Sequence, residues 1–368
     1  MLKNKLINNP KLVTSFTILI SIIFLGKAFI NLLNYGTDFE LSYNLSKSFW
    51  SGVDVFTLEK SVYPHLWYIL LFPFKYAEYT TVKIIFFFIN LFFLFSSFYI
   101  VKKNLNLNNL DTKILIILSV TSTPVTNLLG IANLSLFTLF FLLVFYFYKS
   151  IFLRGLAISF ALIKYNISFF FIIYLFVFKK LRIILILILI HLASILFYFY
   201  YLDITNILSI FNPVISIFSL VDVQLDSGTV GVNSGLFNLH NFLIILDMAN
   251  YYYFIFILLT FYSVYLMKFK IISKEKLLIF ILYFTACLIY HQLYDFIILI
   301  PVLAYILKSK HKMKFFKFHI FVIIYIFHLY KINTIFNFPI TKDVYSIVGM
   351  ILLILSNYLI IFKEKNNI

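Results

Sequence analysis

Long apolar runs alternate with short lysine-bearing connections along this chain, and about 20 apolar residues at 1.5 Å rise each carry a helix through a bilayer. Runs at 12–33, 82–101, 113–128, 133–148, 183–201, 250–267, 314–330 and 346–362 predict eight full crossings. The first follows Lys3, Lys5 and Lys11 as a signal peptide would, but its length and the lack of a small-residue cleavage site predict an uncleaved helix. Two further stretches, 151–178 and 277–307, are interrupted by Lys164-Tyr165-Asn166 and by His291-Gln292-Leu293-Tyr294-Asp295. Basic residues flank both ends of each, so each is predicted to begin and end in the cytoplasm as a helical hairpin with a polar apex. From Lys276 to His291 is 15 residues, about 22 Å of helix, short of the roughly 30 Å of hydrocarbon. The apices therefore lie below the outer surface, where ionisable groups are tolerated only against protein or a wet cavity.

The expected fold class is all-α: one polytopic transmembrane domain over 1–368, with about eight full crossings, two broken hairpins and juxtamembrane helices on the outer side. Its longest outer segments are 34–64, 202–249 and 331–345. The turn-rich 202–249 is expected to form short interfacial helices and loops roofing the cavity.

Composition excludes the alternatives to a membrane chain. Of 368 residues 63% are hydrophobic and 12% charged, and the mean hydropathy is +1.01, more apolar side chain than a water-soluble fold can bury. One cysteine, Cys287, permits no intrachain disulfide or thiolate metal cluster, and nine glycines include no phosphate-cradling loop. The net charge of +16 would suggest nucleic acid for a soluble protein, but here it reports orientation. With both termini inside, 22 of the lysines and arginines fall at cytoplasmic ends against three acids, Asp111, Glu275 and Glu364. The other 11 acids fall outside with six lysines, and Lys27 and Lys164 sit at membrane depth. No nucleic-acid partner is expected, and the location expected is the cell membrane.

Candidate chemistry gathers on the outer side. After the first helix come Asp38-Phe39-Glu40, Tyr43, a piece running to Trp50, then Gly52-Val53-Asp54-Val55-Phe56, Tyr63-Pro64 and an apolar run to Pro73. Read alone, Asp38 is a solvated loop acid or a helix N-cap. The order of these residues resembles the first outer loop of GT-C fold glycosyltransferases, and most of all glycosyltransferase family 87, the polyprenyl-phosphate-mannose-dependent α-mannosyltransferases. Gly130-Ile131-Ala132-Asn133 resembles that family's Gly-Gln-x-Asn step, Gly155 through Lys164 to Lys179-Lys180 its glycine, helix, lysine and basic pattern, and His291 to Pro301 its late polar helix break. Ile131 replaces the usual Gln, Ile167 a common proline, and the late Trp-His-His form is absent.

The resemblance implies an inverting transfer of a hexose, mannose-like, from a polyprenyl-phosphate sugar to a glycan or glycolipid acceptor on the outer face. It makes Asp38 the expected base for the acceptor hydroxyl and places Tyr43 and Asn133 in the substrate site. Lys164 is expected to meet either the lipid phosphate or an internal acid. His291 is a candidate proton donor or base, or a structural histidine of the turn. Asp295 is expected to orient His291 or to cap the second half-helix. No cofactor is required; Asp38 and Glu40 would hold a divalent ion only if both faced inward. Two other classes fit the same intramembrane polar groups: a lipid-linked glycan transporter or flippase, and an O-antigen-type polymerase. The transporter predicts ionisable groups spread through many helices, and the polymerase predicts outer arginines; here both arginines are placed inside.

Overall fold

Apolar runs bounded by polar breaks become helices, and among the described residues there is no strand. The computed structural model describes residues 10–34, 38–58, 61, 63–212, 215, 239–271, 273–289, 293–336 and 342–364. In chain order the helices are α1 Pro10–Asn34, α2 Asp38–Trp50, α3 His65–Leu70, α4 Tyr79–Leu105, α5 Asn109–Val120, α6 Thr123–Gly130, α7 Ser135–Phe147 and α8 Ile151–Ala161. They continue as α9 Tyr165–Val177, α10 Leu181–Tyr201, α11 Leu239–Ile245, α12 Tyr252–Phe269, α13 Lys274–Leu288, α14 Ile300–Ser309, α15 Phe316–Phe336 and α16 Lys342–Tyr358. Large apolar side chains on α1, α10 and α12, such as Phe16, Leu185, Ile188 and Phe261, stand more than half exposed, as expected of helices whose outer surface meets lipid. α7, α13 and α14 carry the buried core.

Both predicted hairpins form. Residues 151–177 are helical throughout and, by length and composition alone, would make one span of 27 residues. The contacts show instead that the chain reverses. Arg154 Nε donates to the Phe145 carbonyl at 2.8 Å, while the Tyr174 ring lies 6.0 Å from the Phe145 ring; a straight helix would hold residues 154 and 174 about 30 Å apart. The reversal sits at Lys164, whose φ of −115° and ψ of 80° leave the helical region. In the second hairpin Lys308 Nζ meets Glu275 Oε1 at 2.6 Å, although a straight helix would separate them by about 50 Å. A 3-10 segment, Leu293–Leu299, leads from the apex into α14.

The hairpin ends share one end of the bundle with the three acids expected in the cytoplasm, and each acid has found a basic partner there. Asp111 pairs with Lys310 at 2.7 Å and Glu275 with Lys308. The Glu364 carbonyl accepts from Lys276 Nζ at 2.7 Å, while its carboxylate accepts the backbone N–H groups of Lys314 and Phe315. His319 is fully buried, with Nδ1 2.8 Å from Ser356 Oγ.

One expectation needs correction. The run at 113–128 is not one straight crossing: α5 and α6 meet at 57°. Thr121-Ser122-Thr123-Pro124 causes the bend. Ser122 Oγ accepts Val125 N as the cap of a new helix, and the proline near its start supplies no N–H to the preceding one. The segment 331–345 is mostly helical, since α15 runs to Phe336 and α16 resumes at Lys342. Most of the predicted roof, 213–214 and 216–238, lies outside the described residues.

At the end of the bundle expected to face outward, α2 and α3 form a cap tied to α10. Trp50 Nε1 and Ser46 Oγ both donate to the Tyr68 carbonyl, and the Tyr198 hydroxyl donates to Asp54 Oδ1 at 2.8 Å. His65 is buried here, its ring 4.6 Å from that of Tyr198 and 4.8 Å from that of Phe56.

Two stability predictions follow from this packing. A Cβ added to Gly155 would lie 2.5 Å from Ile186 Cγ2 and 2.6 Å from Ile186 Cβ, atoms too near the backbone of a β-branched residue to swing away. Gly155→Ala should push α8 from α10 and cost about 1–3 kcal/mol, seen as a lower unfolding temperature in detergent; an unchanged midpoint would contradict this close approach. Burial, and then the neighbouring His191, hold the His65 imidazole down at about 4 against an ordinary 6.5. The unfolded chain then takes up this proton near pH 6.5 and the folded chain only near 4. Its contribution is therefore complete above pH 6.5 and falls by up to about 3 kcal/mol as pH drops toward 4. His65→Leu should flatten the loss of thermal stability between pH 7 and 5, and parallel curves would remove His65 as its source.

Candidate active site

Four separate segments deliver one polar network. α6 ends at Gly130, and the chain turns through Ala132, which adopts a positive φ of 52°. Ala132 N and Asn133 N donate back to the carbonyls of Leu129 and Leu128, the left-handed helix stop that glycine usually fills. This turn, with Asn90 Nδ2 donating to the Asn133 carbonyl at 3.2 Å, aims the Asn133 side chain inward.

Asn133 is the hub. Its Nδ2 donates to Asp38 Oδ2 at 3.0 Å, while its Oδ1 accepts from Lys164 Nζ at 2.8 Å and from Ser135 N at 3.0 Å. Lys164 Nζ also donates to Ser135 Oγ at 2.7 Å and to Asp295 Oδ1 at 2.5 Å. An ammonium has three hydrogens, and here all three are engaged. The Ser135 hydroxyl lies within reach of both Asn133 Oδ1 and Asp295 Oδ1 and donates to one at a time. Asn166 Nδ2 approaches Asp295 Oδ2 at 3.3 Å, and the Tyr294 ring lies 4.8 Å from Lys164 Nζ.

The two carboxylates are in opposite situations. Asp295 is 1% exposed and paired with Lys164, itself only 9% exposed. Asp38, in the first turn of α2, is exposed, with the Tyr294 phenol as a near neighbour. Tyr63 stands close enough for burial, and then the Asp38 charge, to push its phenol well above the ordinary range, so it stays neutral. The arrangement offers one open, oriented carboxylate on a site whose buried charges already cancel.

The expected residues divide accordingly. Asp38, Asn133, Lys164 and Asp295 come together, with Asp38 and Lys164 bridged by a single amide. Lys164 meets the internal acid, and Asp295 serves as its counter-ion. Tyr43 is not among them: it is buried, and its hydroxyl donates to the Ala77 carbonyl at 2.5 Å, securing α2 to the turn before α4. Glu40 is exposed; two residues from Asp38 on a helix, it points to another face, so the pair does not converge on a cation. His291 lies outside the described residues. Ser135, Asn166 and the Asp38 contact of Tyr294 were not singled out from sequence. The signals available were a serine two residues after Asn133, an asparagine two after Lys164 and a tyrosine beside Asp295.

The model of glycosyltransferase family 87 matches residues 62–290, well over half of the chain. The matched stretch holds Asn133 and Lys164, while Asp38 and Asp295 lie beyond its two ends. No curated protein and no solved structure matched.

Charge pairing at the apices makes a sharp prediction. Asp295→Asn would leave the Lys164 ammonium buried without a counter-charge and should cost about 3–5 kcal/mol. Lys164→Met in the same chain should restore most of that loss. A double-mutant cycle of unfolding midpoints in detergent reads the coupling, and simple additivity would contradict the pairing.

Proposed function

The chain belongs to glycosyltransferase family 87, and from that premise we propose that this membrane glycosyltransferase moves a mannose-like hexose from a polyprenyl-phosphate sugar to the hydroxyl of a glycan or glycolipid on the outer face, with inversion. The observation that carries the reading is Asp38: an exposed carboxylate with one oxygen held by Asn133, in a network whose other acid is neutralised by Lys164.

A hydroxyl attacks an anomeric carbon well only if its proton leaves as the new bond forms, and a carboxylate within hydrogen-bond reach accepts it. Asp38 takes the acceptor proton and becomes a carboxylic acid. The acceptor oxygen bonds to the anomeric carbon, the bond from that carbon to the phosphate oxygen breaks, and the electron pair leaves with the polyprenyl monophosphate. Attack opposite the departing phosphate inverts the anomeric centre. Asn133 holds the carboxylate in one orientation, which lowers the entropy cost of reaching the transition state.

On this reading the Lys164–Asp295 pair is positioning machinery: the lysine fixes Asn133 Oδ1, so the same amide must present its Nδ2 to Asp38. Lys164 keeps no hydrogen in reserve for a substrate phosphate.

Transfer of labelled sugar from a polyprenyl-phosphate donor in membranes tests this. Asp38→Asn, close in shape but unable to take the proton, should lower transfer by at least about a hundredfold, the lower range for loss of a general base, with folding unchanged. Undiminished transfer would remove Asp38 as the base, and the absence of any transfer by the wild type with every such donor would overturn the reaction itself.

A further inference from the structure

With Lys164 fully committed, the departing phosphate needs another cation, and the outer cap holds one. Lys83, in the second turn of α4, is 8% exposed. Its Nζ donates a long hydrogen bond of 3.3 Å to the Leu33 carbonyl at the end of α1 and lies 5.7 Å from the centre of the Tyr79 ring. Among the described residues no carboxylate pairs with it; the basic residues in carboxylate pairs are Lys164, Lys308, Lys310 and His319. A backbone carbonyl and the negative end of a helix dipole compensate only part of a buried ammonium's lost hydration. Capping α1 needs one hydrogen of the three, and two remain.

The position of Lys83 follows from the packing of α2 on α4. Phe39 stacks on Phe86 with ring centroids 4.1 Å apart, and Tyr43 meets Tyr79 at 5.5 Å. Positions 79, 83 and 86 share one face of α4, so Lys83 lies between these ring pairs, opposite the turn of α2 that begins beside Asp38. Along the α2 axis the level midway between Phe39 and Tyr43 is about one helical turn beyond Asp38. In an inverting displacement the attacking hydroxyl and the leaving phosphate flank a single carbon, so base and phosphate anchor must border the same small volume.

We propose that Lys83 anchors the phosphate of the lipid-borne donor and of the polyprenyl monophosphate product, in an anion site between α2 and α4. This rests on the donor class proposed above. The aromatic rings beside it suit a ligand whose charged head is followed by a prenyl chain, and the ammonium stabilises the negative charge that develops as the sugar–phosphate bond breaks.

Binding of a polyprenyl monophosphate, against the matching uncharged polyprenol, to the purified full chain in lipid nanodiscs tests this without turnover. Wild type should prefer the phosphate, Lys83→Gln should weaken phosphate binding by at least about tenfold with polyprenol binding unchanged, the loss expected when a charge-assisted hydrogen bond is removed, and Lys83→Arg should recover most of it. Wild-type preference for the phosphate that survives Lys83→Gln would overturn the Lys83 assignment and leave the donor class standing. No wild-type preference for phosphate over polyprenol would overturn the donor class itself. Inorganic phosphate displacing the lipid at equal concentration would assign the site to a free anion and overturn the lipid proposal. Because Lys83→Gln risks the α1 cap, a polyprenyl phosphate with a photoreactive group next to the phosphate provides a second measurement on wild type. Cross-links within 39–43 or 79–86 are expected, and cross-links confined to the hairpin apices would overturn the proposal.

Discussion

A charged lysine below the membrane surface is the constraint on which the rest of this structure depends. Lys164 is expensive to bury, and the cost is met only when all three hydrogens and the charge are answered at once. Asn133 and Ser135, two residues apart where α7 begins, and the distant Asp295 answer them. That requirement fixes how far each hairpin rises and where each reverses. It also locks the Asn133 amide, because an oxygen facing the ammonium leaves the nitrogen facing Asp38.

The division of labour between the two acids follows from solvation. Asp295, enclosed and paired, is a permanent counter-charge. Asp38 stands at the positive end of α2, in the open, where an incoming hydroxyl can reach it. A lysine bound to an internal acid cannot also be the group that greets a phosphate, and for this reason Lys83, with one long bond to a carbonyl, draws interest as the cation on the donor side.

Helix association in lipid lacks the hydrophobic drive that operates in water and relies on close packing and interhelical hydrogen bonds. Both are visible here. Gly155 admits Ile186 to within contact of its backbone, and Tyr283, Ser356, His319 and Glu364 form a buried polar chain near the end of the bundle that gathers the lysines. The outer cap uses aromatic stacking instead, with Phe49 on Tyr198 at 4.7 Å and Phe39 on Phe86 at 4.1 Å.

The hydropathy pattern alone determined the membrane setting, the rough ends of most helices and the two reversals, because apolar length and flanking lysines are local properties that a bilayer reads directly. The bend at Thr121-Ser122-Thr123-Pro124 was equally local, and its capping serine and proline were legible signals. Tertiary structure decided the pairings. That Lys164 meets an acid, that Asp295 balances its charge, and that Tyr43 holds a backbone carbonyl while Asn133 holds the proposed base, all turned on which groups other segments brought within 3 Å. Hydrogen bonds act only at that range, and no spacing along the chain encodes a distance between segments 31 to 131 residues apart.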